Sequence, residues 1–482
     1  MYTIGLDIGT QGVRGMVVDA VGRVVAQARA SFSGIGTTQD GWHEQDPMSW
    51  WIAAKDVLSS LTMLAEERGV TAGDISALAV DGTSGTVLAL DTLGNPLTPG
   101  MMYNDSRAGA EAQHITQVSG DLPIKLGYQF NASYALPKWL WVKHHQPDLF
   151  AQARYLIHQT DYIVGQLTGC YTKTDWSNAL KSGWDLIERR WPAFIESELG
   201  IPLSLLPQVQ APGTLMAQVS AEGALETGLR EGLPVVAGCT DGYASSVASG
   251  AMEPGDCNTT IGTTMVFKAV SRTLIKDDAG RVYCHLHPDG WWIPGAASNV
   301  GGYCLNAYFD PRQFEELDAQ VAQITPTGTV IYPLTAQGER FPFLRPDACA
   351  FVQGDVSDDA VHYAALMEGV AYTERLSYEI FESLGCHIGD RIFITGGAVK
   401  SPEWSQLRAD ILGKTLLQPR EEEAAMGAAI LAAAATLHPD ISTAVHAMVQ
   451  IRAEYKPDML KHAQYASLYT DFKALCAERG WL

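Results

Sequence analysis

A chain of 482 residues with 46% hydrophobic content and 46 glycines can bury more than one core, so two large α/β domains are expected. Its 54 acidic and 33 basic residues give a net charge of −21, which excludes broad binding to nucleic acid or an anionic membrane. It leaves room for a small anion held by backbone N–H groups in a favourable cleft.

The eight cysteines are scattered, with no CxxC pair, and read as reduced thiols. Asp7 and Gly9 interrupt the only apolar start, so no signal peptide is read, and no apolar run is long enough to span a bilayer. A soluble, cytoplasmic protein is expected.

Residues 3–8 read as a buried strand, Gly9 to Gly12 as its turn, and 13–19 and 24–32 as two further strands of a meander. Residues 57–67 look helical, and Trp50 and Trp51 read as core residues of the next helix. Residues 75–80 form a strand that ends at Asp81-Gly82-Thr83-Ser84-Gly85, and 86–90 continue as strand. Residues 130–230 read as mostly helical, with an irregular part near 172–184. At Pro234 the pattern resets, which puts a domain boundary near 233. Residues 234–237 form a short strand before Gly238-Cys239-Thr240-Asp241-Gly242. Residues 256–268 read as strand, Gly-Thr turn, strand, repeating the logic of 3–18 and pointing to an internal duplication. A long helix covers 358–384, with Ser357 as N-cap and Gly385 as stop. Residues 391–395 are a strand feeding Gly396-Gly397, and 401–412 and 424–435 are helices.

Several of these turns carry candidate chemistry. Asp7 sits among Ile4, Leu6 and Ile8; strand alternation could point it at solvent, whereas a buried carboxylate needs a partner or a metal, and Mg²⁺ held partly through water suits it. Gly9-Thr10-Gln11-Gly12 is either a plain hairpin or a phosphate turn, and Gly262-Thr263-Thr264 has the same grammar. No GxxxxGK[ST] is present, so this is not a P-loop ATPase. Asp241 is either a helix cap or a general base for a substrate hydroxyl; phosphoryl transfer needs little beyond such a base, alignment and charge neutralisation. The clusters Gly41-Trp42-His43-Glu44-Gln45-Asp46 and Tyr103-Asn104-Asp105-Ser106-Arg107 are surface turns or a sugar site. The hydroxyls of Thr83 and Ser84 lie at a strand end, where open α/β folds bind ligands. Gly396-Gly397-Ala398 can admit a purine or ribose, with Gln406 turned toward the base.

Together these stretches resemble the FGGY family of carbohydrate kinases. The matching pieces, in family order, are GLDIGTQGVRGMVVD, GWHEQDPMSWW, YNDSRA, GCTDG, CNTTIGTTMVF and RIFITGGAVKSPEWSQLRADILG. The resemblance implies an α/β fold of two actin-like (RNase H-like) domains flanking a central nucleotide and sugar cleft. Residues 1–233 would hold the sugar and the first phosphate loop, and 234–482 the catalytic base and the adenosine site. It implies ATP and Mg²⁺, with Asp241 as base and Asp7 as the magnesium-linked acid. The sugar would meet Trp42, His43, Glu44, Thr83, Ser84, Asn104, Asp105 and Asp241. The nucleotide would meet Gly9, Thr10, Gln11, Arg14, Gly262, Thr263, Thr264, Gly301, Gly396, Gly397, Ala398 and Gln406.

The implied reaction is phosphorylation of the terminal hydroxyl of a ketopentose, D-ribulose ahead of D-xylulose or another sugar or polyol. Typical xylulose kinases carry Gly-Gln-x-His-Gly where this chain has Asp81-Gly82-Thr83-Ser84-Gly85, a form similar to a group associated with D-ribulose and, in part, D-xylulose. Two rival classes are a non-kinase actin-like ATPase or phosphatase and a catalytically dead scaffold. No nucleic-acid or membrane partner is expected, and a homodimer is the base-rate expectation.

Overall fold

A computed structural model describes residues 1–32, 36 and 39–482. The chain forms two compact units. The first comprises Met1–Gly250, Leu286–Gly290 and Glu421–Gln450, and the second Ala251–His285, Trp291–Arg420 and Ile451–Leu482. The expected boundary near 233 falls inside the first unit, because the strand Pro234–Val236 pairs in parallel with Ile75–Gly82. The Pro234 signal therefore marks a turn into a strand of the same sheet, and Asp241 belongs to the first unit.

The first unit is built on a six-stranded sheet. Its order is Leu215–Gln218, Pro234–Val236, Ile75–Gly82, Tyr2–Ile8, Gly12–Asp19 and Val24–Ser31. The last three are the expected antiparallel meander, and Tyr2–Ile8 runs parallel to Ile75–Gly82. Ile4, Leu6 and Ile8 are fully buried and pack with Val57, Leu58 and Leu61 of the helix Pro47–Glu66. That helix starts ten residues earlier than its predicted span, since Asp46 caps it by accepting from the Met48 N–H and Pro47 fits the first turn.

A second helix, Ala424–Thr436, comes from far along the chain. Its Ala428 and Ala432 pack on Ala77, Ala79 and Val236. Contact is backbone to backbone: a Cβ on Gly5 would stand 1.8 Å from the Ala425 carbonyl, and one on Gly427 1.9 Å from that of Ala244. The small residues of this helix exist to allow that approach, and the helix carrying Asp241 is seated against it.

Residues 130–230 are not mostly helical. The helices Ala135–His145 and Gln159–Thr168 alternate with short strands, including Tyr155–His158 and Lys173–Asp175. Strands of three or four residues leave too little periodicity to read, and pairing with distant partners such as Val87–Leu90 fixes them.

The second unit holds a seven-stranded sheet in the order Tyr283–Leu286, Trp292–Ser298, Met265–Ala269, Cys257–Ile261, Arg391–Thr395, Thr415–Pro419 and Ile451–Tyr455. Cys257–Ile261 is antiparallel to Met265–Ala269 and parallel to Arg391–Thr395. The first sheet treats Tyr2–Ile8 in the same way, so the duplicated pattern is present in the topology. The long helix spans Asp359–Ser383. Asp358 rather than Ser357 caps it, accepting from the Val361 N–H at 3.0 Å, and Gly385 follows with φ +89°. No helix among the described residues is long and apolar enough to cross a membrane.

Candidate functional site

Three carboxylates meet at one end of the first sheet. Asp7 and Asp81 are register partners on adjacent parallel strands, and Asp7 pairs across the antiparallel side with Arg14. Arg14 Nη1 lies 3.4 Å from Asp7 Oδ2. Asp81 is fully buried, and no described N–H or hydroxyl donates to either of its oxygens. Burial first, then the charge of Asp7, pushes its carboxyl well above the ordinary 3.8. Asp7 is also raised, chiefly by burial, while its bond to Asp81 and the charge of Arg14 pull it down. Burial and the charge of its neighbours thus weigh against a negative charge on Asp81.

Asp241 joins them through the backbone. Gly82 bridges Thr240 in parallel, and Gly238 lies so close to the neighbouring strand that a Cβ would stand 1.9 Å from the Val80 carbonyl oxygen. The Thr240 N–H donates to Ser177 Oγ at 2.9 Å. Asp241 then opens the helix Asp241–Ser249, half-buried, with Oδ1 accepting from the Gly242 N–H at 2.6 Å. Its charge adds to the pressure on Asp81.

The folded-state value of Asp81 is raised, so the native state holds more protons than the unfolded chain. Stability attributable to this group is full below 3.8 and is lost as pH rises through the raised value. Asp81→Asn is expected to raise the thermal midpoint by at least about 2 °C at pH 7.5, with the gain vanishing toward pH 4. Scanning calorimetry at the two pH values checks this; a lower midpoint at pH 7.5 would show that the carboxyl is not a burden on the fold.

The turn after Tyr2–Ile8 is held from below. Gly9 N–H donates to the Gly12 carbonyl at 2.9 Å, while Gln45 Nε2 donates to the Thr10 carbonyl at 2.7 Å and Gln45 Oε1 accepts from Trp50 Nε1 at 2.8 Å. Gln45, read from sequence as part of a sugar cluster, is buried support for Thr10. Thr10 is half-buried, and Gln11 and Arg14 are exposed beside it.

The clusters expected to hold a sugar are brought together but used unevenly. Arg107 makes ion pairs with Glu44 Oε1 at 2.7 Å and Asp105 Oδ2 at 2.6 Å, and its guanidinium lies 3.7 Å from the centre of the Trp42 ring. Asp105 is buried and also accepts from the His43 N–H at 2.8 Å. It is a brace rather than a sugar contact, because its acceptors are spent on protein. Thr83 is also buried, its hydroxyl donating to Gln159 Oε1 at 2.8 Å. Trp42, His43, Glu44 and Ser84 remain half-buried, and Asn104 is exposed. Arg107 and Gln159 were missed as anchors; the Asp-x-Arg spacing of 105 and 107 was a visible signal for the first.

The second unit contains a cavity of about 870 Å³. Gly262, Thr263, Gly302, Gly397 and Ala398 line it, and Leu305, Phe314, Tyr363 and Trp404 give it an apolar wall. Three backbone segments converge there. Gly302 N–H donates to the Gly262 carbonyl at 2.8 Å, and a Cβ on Gly301 would meet Thr264 Cα at 2.5 Å. Gly396, at φ +90°, would bring a Cβ 2.6 Å from the Ile261 carbonyl. Gly301, Thr264 and Gly396 thus pack the segments together without lining the cavity, whereas a Cβ on Gly262 would meet nothing within 4 Å. The bare backbone there fits a phosphate chain, and the apolar wall fits a base. Tyr363 donates to Asp318 Oδ1 at 2.9 Å on the same wall. Gln406 does not face this cavity: its amide donates to Asp410 Oδ1 and the Lys456 carbonyl, both at 2.8 Å.

Among the described residues no group of three or more His, Cys, Asp or Glu is arranged to hold a metal ion. The hard oxygens of Asp7, beside the buried Asp81, suit a cation that keeps most of its water.

The model for the FGGY family of carbohydrate kinases, N-terminal domain, matches residues 2–248, and that for the C-terminal domain matches 257–436. A xylulose kinase of Bacillus subtilis is 28% identical over 444 residues, covering 90% of this chain and 88% of that enzyme. A gluconokinase of the same organism is 26% identical, covering 98% and 94%. The crystal structure of a xylulose kinase from Rhodospirillum rubrum superposes with a TM-score of 0.87 at 29% identity, covering 99% of both chains.

Proposed function

The chain belongs to the FGGY family of carbohydrate kinases, and on that premise we propose that it transfers the γ-phosphoryl group of ATP to the terminal hydroxyl of an open-chain ketopentose, D-ribulose in preference to D-xylulose. The observation that carries this reading is Asp241, half-buried at a helix start, beside the buried Asp7–Asp81 pair. In this mechanism Asp241 takes the proton of the sugar hydroxyl as its oxygen forms a bond to phosphorus and the bond to the β-phosphate oxygen breaks, releasing ADP. Asp7 would hold Mg²⁺ through water, and the ion, when bound, would supply neutralisation of phosphate charge. Amides and hydroxyls around Thr10 and Thr263 steady the transferring group, and the second unit's cavity takes the nucleoside. Both sheets are read as RNase H-like, and the protein as cytoplasmic and dimeric.

One feature supports a neutral sugar, and another D-ribulose over D-xylulose. Arg107, the cation within the sugar loops, is already met by Glu44 and Asp105, which leaves it little to offer a substrate carboxylate. Ser84 lies in Asp81-Gly82-Thr83-Ser84-Gly85, where a hydroxyl replaces the histidine typical of xylulose kinases. The names of the similar xylulose kinases favour D-xylulose as a second reading.

ADP release with Mg²⁺ and ATP, measured against D-ribulose, D-xylulose, pentitols, glycerol and gluconate, decides among these. The expected result is a kcat/KM for D-ribulose at least about tenfold above that for gluconate, a difference of about 1.4 kcal/mol. Gluconate as the best acceptor would overturn the neutral-sugar reading, and no acceptor at all would overturn the kinase assignment.

A further inference from the structure

We propose that Lys138 is a positioning residue that holds the two sugar loops in their binding arrangement before substrate arrives; this rests on reading those loops as the acceptor site. Lys138 lies on the helix Ala135–His145 and is fully buried. Its Nζ donates to three main-chain carbonyls: Gly85 at 2.8 Å, Met102 at 2.6 Å and Ser133 at 3.1 Å. Three N–H donors meet three acceptors, so the ammonium form is saturated, whereas a neutral amine could serve only two of them.

The three carbonyls come from separate stretches of chain, and two of them border the sugar loops. Gly85 follows Thr83 and Ser84, and Met102 precedes Tyr103, Asn104 and Asp105. Met102 N–H in turn donates to the His43 carbonyl at 2.9 Å, which carries the tie to the Trp42–Glu44 segment. The backbone is crowded here: a Cβ on Gly85, at φ +84°, would stand 2.8 Å from the Ser133 carbonyl oxygen. Without a cation between them, these converging carbonyl dipoles repel one another, and each buried oxygen loses its partner.

Burial pulls the Lys138 ammonium well below its ordinary value, and the neighbouring Lys181 and Arg107 charges add to this, while Asp105 opposes it. An apolar residue at this buried position would carry no such cost. A buried lysine at this point therefore serves the loops and not the core.

The test uses the full-length protein. Lys138→Met removes all three bonds, and Lys138→Arg keeps the charge but replaces three convergent donors with a planar fork. The expected result is a sugar KM raised at least about tenfold in Lys138→Met and about fivefold in Lys138→Arg, with the KM for ATP within about twofold of the parent. A folded variant of either kind with an unchanged sugar KM, or with both KM values raised equally, overturns the proposal. Should neither variant fold, hydrogen exchange on the unaltered, sugar-free protein decides. Amides in 83–86 and 101–106 are expected to be protected, and exchange at the rate of unstructured chain would overturn the clamp. If the parent phosphorylates no sugar in the panel, the acceptor-site reading fails, and exchange at 83–86 and 101–106 compared between the parent and Lys138→Met still decides whether Lys138 orders these loops.

Discussion

Asp241→Asn is expected to lower kcat at least about 100-fold while changing the KM for ATP by no more than about threefold. Asparagine keeps the shape of the carboxylate and the acceptor for the Gly242 N–H, so the helix start survives. What it loses is the capacity to take a proton. The cavity proposed for the nucleoside belongs to the second unit and is not lined by Asp241, so donor affinity has no cause to follow. Steady-state rates with saturating ketopentose and varied ATP check this. A variant within tenfold of the parent kcat would remove Asp241 from the role of base and leave alignment of the two substrates as the source of rate.

Gly238→Ala is expected to destabilise the protein by about 1–3 kcal/mol and to reduce kcat at least about tenfold. The added methyl would stand 1.9 Å from the Val80 oxygen and 2.6 Å from its carbonyl carbon, and neither backbone atom can swing aside as a side chain can. The strand Pro234–Val236 must then draw away from Ile75–Gly82, taking Thr240 and Asp241 with it. Urea unfolding measures the first effect and the turnover number the second. If the alanine variant matches the parent in both, the close approach at Gly238 is not what sets Asp241 beside Asp81.

Much of the fold was legible because glycine turns and apolar runs carry local information. The strands 2–8, 12–19 and 391–395 and the helix after Ser401 stand where their patterns put them, within a residue or two at each end. What was not legible depends on pairing across long distances. Nothing near Asp81 in the sequence says that it faces Asp7; only the parallel register of two strands separated by a helix does so. Thr83 and Asp105 looked like sugar contacts because hydroxyls and acids in loops often are. Their partners Gln159 and Arg107 had already claimed them. Gln406 stands one helical turn from Asp410 and near the Lys456 carbonyl, and those two acceptors turn its amide away from the cavity. Fold followed from residue pattern, whereas the distinction between a brace and a ligand contact required knowing which neighbours were free.

The chain's return to the first unit at Glu421–Gln450 has a practical corollary. An expression product ending at residue 250 would lack the alanine-rich helix that lies on Gly5, Ala77 and Val236, and its main sheet would present bare apolar surface to water. The complementary piece would carry that helix with nothing to cover. The two family segments are therefore not separable modules, and a division of this protein that respects its folding must reunite 1–250 with 421–450 by permutation or by co-expression.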